Sequence, residues 1–311
     1  MHGPMRKPAS ALAAAAAVAA CACCPAQPLS QAAGLAAGLP PIASDTRLLV
    51  VAPHPDDETL CCAGVMQRVV RAGGRVNVVW ITSGDAARMT LLLIEHTLFG
   101  DAAKARALGE QRMAEARAAT ALLGVPASGQ LFLGYPDGGL AQLSSTYRAS
   151  AYTSRTTGAA AVPYRDALFP GHPYTGESLE RDFTQIIEQL QPTLILAPSP
   201  LDSHPDHRAA GLLTSTLSAR LGTMLAVRYW VVHGGEGWPS PRGLNAGIPL
   251  TPAPLGRALA PVPFLLAPAE EDRKLTALKA YETQMRVLAP FLLAFVRTTE
   301  LFSARATSDP Q

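Results

Sequence analysis

No basic stripe runs through this sequence. Its formal net charge is only +2, and its Lys and Arg residues are scattered. Nucleic acid is therefore excluded as a partner, because tracking phosphates takes a concentrated positive face. Cysteine is scarce too: five in 311 residues, with Cys21, Cys23 and Cys24 crowded near the start and Cys61 beside Cys62 further in. Adjacent cysteines sit closer than disulfide geometry usually asks. No disulfide framework is expected, Cys61 and Cys62 read as small buried hydrophobes, and the fold must stand on its core. No internal repeat is visible. Nor does the sequence hold a glycine-rich phosphate turn after its first apolar strand, which argues against a nicotinamide-binding protein.

The apolar run near the start, Ala9 to Ala20, follows the charges of Arg6 and Lys7. At about a dozen residues it fits a signal-peptide core and is too short for a bilayer, which takes about 20. Val18-Ala19-Ala20-Cys21 resembles a bacterial lipobox, whose cysteine is acylated; plain cleavage after Ala22 or Ala26 is the alternative. Residues 1–21 are thus expected to be a signal peptide of lipoprotein type, and 22–45, rich in Ala, Gly, Pro and Gln, a linker. The expected location is outside the cytosol, anchored to a membrane of the bacterial envelope, or else periplasmic or secreted.

With 48% hydrophobic residues, the rest of the chain can bury a large core. Arg47 to Pro53 is a continuous apolar run suited to a buried parallel strand, and similar runs stand at Val76–Thr82, Gln130–Leu133, Thr193–Ala197 and Val227–Val232. Amphipathic stretches of helical length lie between and after them, at 58–72, 104–123, 178–190, 205–220 and 270–287. This alternation predicts an α/β domain over 46–303, a Rossmann-like parallel sheet with helices on both faces, followed by a tail at 304–311. The polar stretch 141–177 has no periodicity; its Tyr147, Arg148, Tyr152 and Arg155 suit a sugar-binding loop or lid over the site.

Two clusters carry chemistry. His54-Pro-Asp56-Asp57-Glu58 stands where the first strand hands over to its helix, the edge at which open α/β sheets bind ligands. His54 and Asp57, three apart across a turn, can face one point, and an imidazole with a carboxylate suits zinc. Ser203-His204-Pro-Asp206-His207 follows another buried strand and can reach the same edge. Each cluster alone has a plainer reading: Asp56 and Asp57 as helix caps, His204 and His207 as satisfied loop histidines. Three of only seven histidines fall in these two turns, however. Together the clusters predict a metal site at the carboxyl edge of the strands.

The first cluster, continued by Leu60-Cys61-Cys62-Ala63-Gly64, resembles a signature of the LmbE-like and PIG-L-type de-N-acetylases, and the His-Pro-Asp-His cluster resembles their second. Thr82-Ser-Gly-Asp85, Arg112-Met-Ala-Glu115, Phe132-Leu-Gly-Tyr-Pro-Asp137-Gly, Lys279-Ala-Tyr281-Glu-Thr-Gln284 and Phe295-Val-Arg297-Thr-Thr-Glu300 add to the likeness, which spans about 46–303. Two positions depart from the pattern: Cys61, where glycine is usual, and Tyr281, where many relatives carry histidine.

The resemblance implies zinc (Zn2+), or another divalent metal such as Fe2+, held by His54, Asp57 and His207, with a water whose pKa falls to about 7. It makes Asp56 the general base, His204 the oxyanion-stabilising group, protonated or hydrogen-bonding, and Asp206 the carboxylate that orients His204. Arg112 and Asp137 would hold sugar hydroxyls, with a surface ion pair as the plainer reading. The expected activity is hydrolysis of N-acetyl groups on an N-acetylglucosamine-type sugar or glycan. A metal-dependent hydrolase of another amide or ester, and a non-catalytic sugar- or metal-binding lipoprotein, are the alternatives.

Overall fold

A computed structural model describes residues 1–3, 38–87, 92, 101–221 and 225–307. Most of the expected leader and linker (4–37), including Cys21, and the end of the tail (308–311) lie outside these residues. No helix among the described residues is long and apolar enough to cross a membrane.

Every expected strand is present, within two residues at its ends. β1 (Arg47–Ala52), β2 (Arg75–Thr82), β3 (Gln130–Tyr135), β4 (Leu194–Pro198) and β5 (Ala226–Trp230) form one parallel sheet in the order β3-β2-β1-β4-β5. Leu48 to Ala52 are all fully buried, which is why β1 reads as an unbroken apolar run rather than an alternating one. Helices α1 (Asp57–Arg71), α2 (Ala102–Leu122), α3 (Gly176–Leu190) and α4 (Pro205–Leu221) make the crossovers. Right-handed crossovers put α1 and α2 on one face of the sheet and α3 and α4 on the other. The direction of winding reverses between β1 and β4, so the turns that follow these strands splay apart and leave a crevice.

The stretch 270–287 is not one helix. The chain forms α5 (Pro268–Lys279) and α6 (Glu282–Leu292), with Tyr281 between them at φ −82°, ψ 63°. The ring of Tyr281 is fully buried and its hydroxyl donates to Glu58 of α1, a long-range contact that helical periodicity cannot register. A two-stranded antiparallel pair, β6 (Val262–Leu265) with β7 (Thr299–Phe302), was not anticipated either; four-residue strands are too short to show a period. The boundary of the linker also shifts: Leu39 and Ile42 pack against the core, and Arg228 donates to the Gly38 carbonyl. Residues 38–45 therefore belong to the folded unit.

Two further expectations are corrected. Cys61 and Cys62 are buried as expected, but their sulfurs are joined in a disulfide across adjacent residues. This bond closes no chain loop, so the loop-entropy stabilisation of an ordinary disulfide is absent and the fold still stands on its core. The 141–177 segment is not a polar lid. Tyr152, Val162, Tyr164 and Tyr174 are buried in the main core, because their hydroxyl-tipped rings bury apolar area while keeping polar partners: Tyr174 donates to the Gly134 carbonyl and Tyr164 to Asp85.

Candidate metal and catalytic site

The two clusters meet at the crevice between β1 and β4. In the first turn, the His54 backbone N–H donates to Asp57 Oδ2 at 2.9 Å, and His54 Nδ1 lies 3.2 Å from the same oxygen. His207 of α4 brings its Nε2 to 3.1 Å from that oxygen. Asp57 is thus flanked by two imidazoles from different crossovers, all three buried.

His207 is fully buried, and neither ring nitrogen makes a hydrogen bond of acceptable geometry, although carboxylate oxygens of Asp57 and Asp202 lie 3.1 and 3.2 Å away. Orphaned ring nitrogens deep in a protein are costly unless something else takes their lone pairs. The charges agree. Burial pulls His207 down, but Asp57 and Asp202 outweigh it and raise it to about 9. His54 is likewise raised, with Asp137 and Asp206 overcoming its burial. Burial pushes Asp57 up, but His207 and His54 hold it well below its usual range. A nitrogen, oxygen, nitrogen donor set in a field that favours positive charge fits a borderline divalent cation.

Asp56 is the strained residue of the site, at φ 119°, ψ −33°. Its side chain makes no capping bond to α1, so the helix-cap reading fails. What holds it is a network from four elements. Its backbone N–H donates to Glu58 Oε2 at 3.2 Å. Glu58, fully buried, also accepts from Trp80 of β2 at 2.9 Å, from Thr59 and from Tyr281. Arg112 of α2 donates to the Pro55 and Gly84 carbonyls at 2.6 and 2.8 Å and reaches Asp56 Oδ2 at 3.2 Å. Gly84, at φ 69°, is needed there because the Arg112 guanidinium occupies the space a Cβ would take. Burial raises Asp56 to about 8 against the pull of Arg112, with Asp57 and Glu58 adding to the rise.

The second turn corrects one assignment. Asp206 does not orient His204 through its carboxylate. That carboxylate accepts from the backbone N–H groups of Gly138 and Leu140 at 2.7 and 3.1 Å and faces His54 Nε2 at 3.4 Å, because the loop after β3 packs over it. It is the Asp206 backbone N–H that donates to His204 Nδ1, at 3.3 Å. This places the His204 proton on Nε2. Burial and the neighbouring His54 and His207 push His204 down to about 3, so it is a neutral donor at neutral pH. Asp202, which the sequence reading passed over, is the carboxylate that organises this turn. It faces His207 Nδ1 and accepts from the backbone N–H groups of His204, Val232 and His233 at 2.9 to 3.0 Å. A loop aspartate two residues before a histidine was a visible signal.

Arg112 and Asp137 are not a surface ion pair. Arg112 is 4% exposed and bonded as above. Asp137 accepts from the Ala86 N–H at 2.8 Å and lies 3.2 Å from His54 Nε2. Both line a cavity of about 240 Å³ together with His54, Asp56, Asp57, His204 and His233. Asp206 and His207 support it from behind. None of Tyr147, Arg148, Tyr152 and Arg155 is part of its lining among the described residues; Arg148 pairs with Glu180 on the exposed side of α3. His233 was missed: it sits beside His207 with ring centroids 4.7 Å apart and no motif marks it in sequence.

The chain is similar to known proteins. Residues 49–218 match the family described as PIG-L: GlcNAc-PI de-N-acetylase. A 1D-myo-inositol 2-acetamido-2-deoxy-alpha-D-glucopyranoside deacetylase of Tsukamurella paurometabola is 31% identical over 284 residues, covering 81% of this chain and 87% of the relative. The deacetylase of the same description from Kribbella flavida is 28% identical, covering 79% and 86%. In structure, the N,N'-diacetylchitobiose deacetylase from Pyrococcus horikoshii superimposes with a TM-score of 0.50 at 19% identity, covering 82% of each chain, a likeness of fold. The chain belongs to the PIG-L family of de-N-acetylases.

Proposed function

We propose that this protein hydrolyses the N-acetyl group of an N-acetylglucosamine-type sugar or glycan, using a divalent metal held by His54, Asp57 and His207, with zinc as the first candidate. The observation that carries the reading is Asp57 between the imidazoles of His54 and His207, with both His207 ring nitrogens buried and without a hydrogen bond and Asp56 beside them in a braced, strained pose over the same cavity. When bound there, such a metal supplies Lewis acidity, polarising the amide carbonyl and acidifying water.

The chain's own residues do the rest. Asp56 takes a proton from the attacking water on its carboxylate and passes it to the leaving nitrogen, a role suited by a pKa near neutrality. His204 offers its Nε2–H to the carbonyl oxygen as negative charge develops there. Asp202 fixes His207, and Asp137 with Asp206 fixes His54, as carboxylates do for metal-binding imidazoles. Arg112 holds Asp56 in place. Asp137 lines the same cavity.

The test is acetate release from a panel of N-acetylated sugars by the metal-loaded enzyme. No release from any N-acetylhexosamine, with full metal occupancy, refutes the reading. The leader sequence adds export as a lipoprotein to the proposal: the mature N-terminus, by mass spectrometry, should be an acylated Cys21, and an unmodified Cys23 or Gln27 would reject it.

A further inference from the structure

The lining of the catalytic cavity combines two unlike sets of residues. Asp56 with Arg112, and Asp137 with the backbone of Ala86, make a polar set. The other set is apolar: Leu60 of α1, Val232 just past β5, and Leu288, Phe291 and Leu292 of α6, with Phe291 stacked on His233. Gln284, Leu288, Phe291 and Leu292 follow one another at the spacing of a single helical face, so α6 lays an apolar stripe along the site.

The leaving nitrogen takes its proton from Asp56, so the sugar it carries lies on the side of Asp56 and Arg112. The two substituents of a trans amide lie in its plane on opposite sides of the C–N bond. The acyl substituent then points to Leu60, Val232, Leu288, Phe291 and Leu292. An acetyl methyl is one carbon and needs one small contact; five apolar side chains from three elements offer far more.

From this arrangement we infer that the enzyme accepts N-acyl chains longer than acetyl, its preferred substrate class being an amino sugar with an aliphatic N-acyl group seated against the α6 face. This rests on the deacylase reading above and specifies its acyl side. The reaction balances as for acetyl. Water oxygen bonds to the acyl carbon, the C–N bond breaks, and the nitrogen leaves with the proton relayed by Asp56. The products are a fatty carboxylate and a free amino sugar.

The experiment compares N-acetyl-, N-butanoyl- and N-hexanoylglucosamine with the octyl glycoside of N-acetylglucosamine, following primary amine release by the metal-loaded full chain. Burying a methylene is worth about fourfold in specificity, so kcat/KM should rise with acyl length, by roughly tenfold or more from acetyl to hexanoyl, and hexanoate should inhibit at lower concentration than acetate by a similar factor. Leu288→Asp should flatten the dependence on acyl length; Leu288 is only partly buried, and melting checks that the variant folds. A hexanoyl substrate no faster than acetyl, with hexanoate no better an inhibitor, overturns the inference. A gain for the octyl glycoside alone also overturns it, by placing the chain on the sugar side. Turnover of none of the four fails the deacylase reading itself, and the inference with it.

Discussion

The two turns that build the site are held in different ways. The turn after β4 hangs on one carboxylate: Asp202, His204 and His207 lie within six residues, and Asp202 accepts from the backbone N–H of His204 and from those of Val232 and His233 just past β5. The turn after β1 is held from a distance. Asp56 keeps a positive φ because Glu58, Trp80, Arg112 and Tyr281, from α1, β2, α2 and the α5–α6 junction, brace it. A strained backbone pose persists only with support from the structure around it, so the pose of Asp56 depends on packing far from the cavity.

Removing the shared residue should erase the difference between the turns. Asp57→Ala, His54→Ala and His207→Ala are each expected to reduce bound metal to background by elemental analysis and to abolish turnover, since three ligands leave no redundancy. Occupied metal in any purified variant would break the assignment. Asp56→Asn should separate metal binding from proton transfer: the metal stays, and the rate falls about 10²–10⁴-fold, read as kcat at full occupancy.

Asp202→Asn probes the turn after β4. Loss of the carboxylate behind His207 should weaken metal affinity by about 10–100-fold, measured by competition with a chelator, while kcat at saturating metal changes less. Tyr281→Phe probes the distant brace and should do the converse: metal affinity unchanged, kcat lowered, and stability reduced by about 1–3 kcal/mol, because buried Glu58 loses a donor. If Tyr281→Phe weakens the metal and Asp202→Asn spares it, the contrast between the turns is wrong.

The smallest effect is one of pH. Asp56 is raised to about 8 in the folded protein without metal, so the native state binds a proton more tightly than the unfolded chain. Its contribution to stability is favourable below the unfolded carboxylate pKa, is lost as pH rises through about 8, and is constant beyond. In chelated protein, Asp56→Asn should therefore gain melting temperature over the parent as pH goes from 4 to 9, and a gap that narrows would contradict the raised pKa.

The sequence by itself determined the sheet and the edge at which the two clusters meet. Unbroken apolar runs marked five parallel strands because both faces are covered, and the clusters at His54–Glu58 and Ser203–His207 were legible because each stands at a strand-to-helix turn. Adjacent residues share a turn, so chemistry confined to a turn can be read from the chain. Only the tertiary structure decided what each side chain spends its hydrogen bonds on. Asp206 left His204 for the loop after β3, Asp202 took up His207, Arg112 turned to Asp56 rather than Asp137, and the tyrosines of 141–177 entered the core. Those choices depend on which distant groups arrive within about 3 Å, and sequence spacing carries no such distance. The same holds for the apolar face of α6 along the cavity, whose pattern marks a buried helix but not what it is buried against.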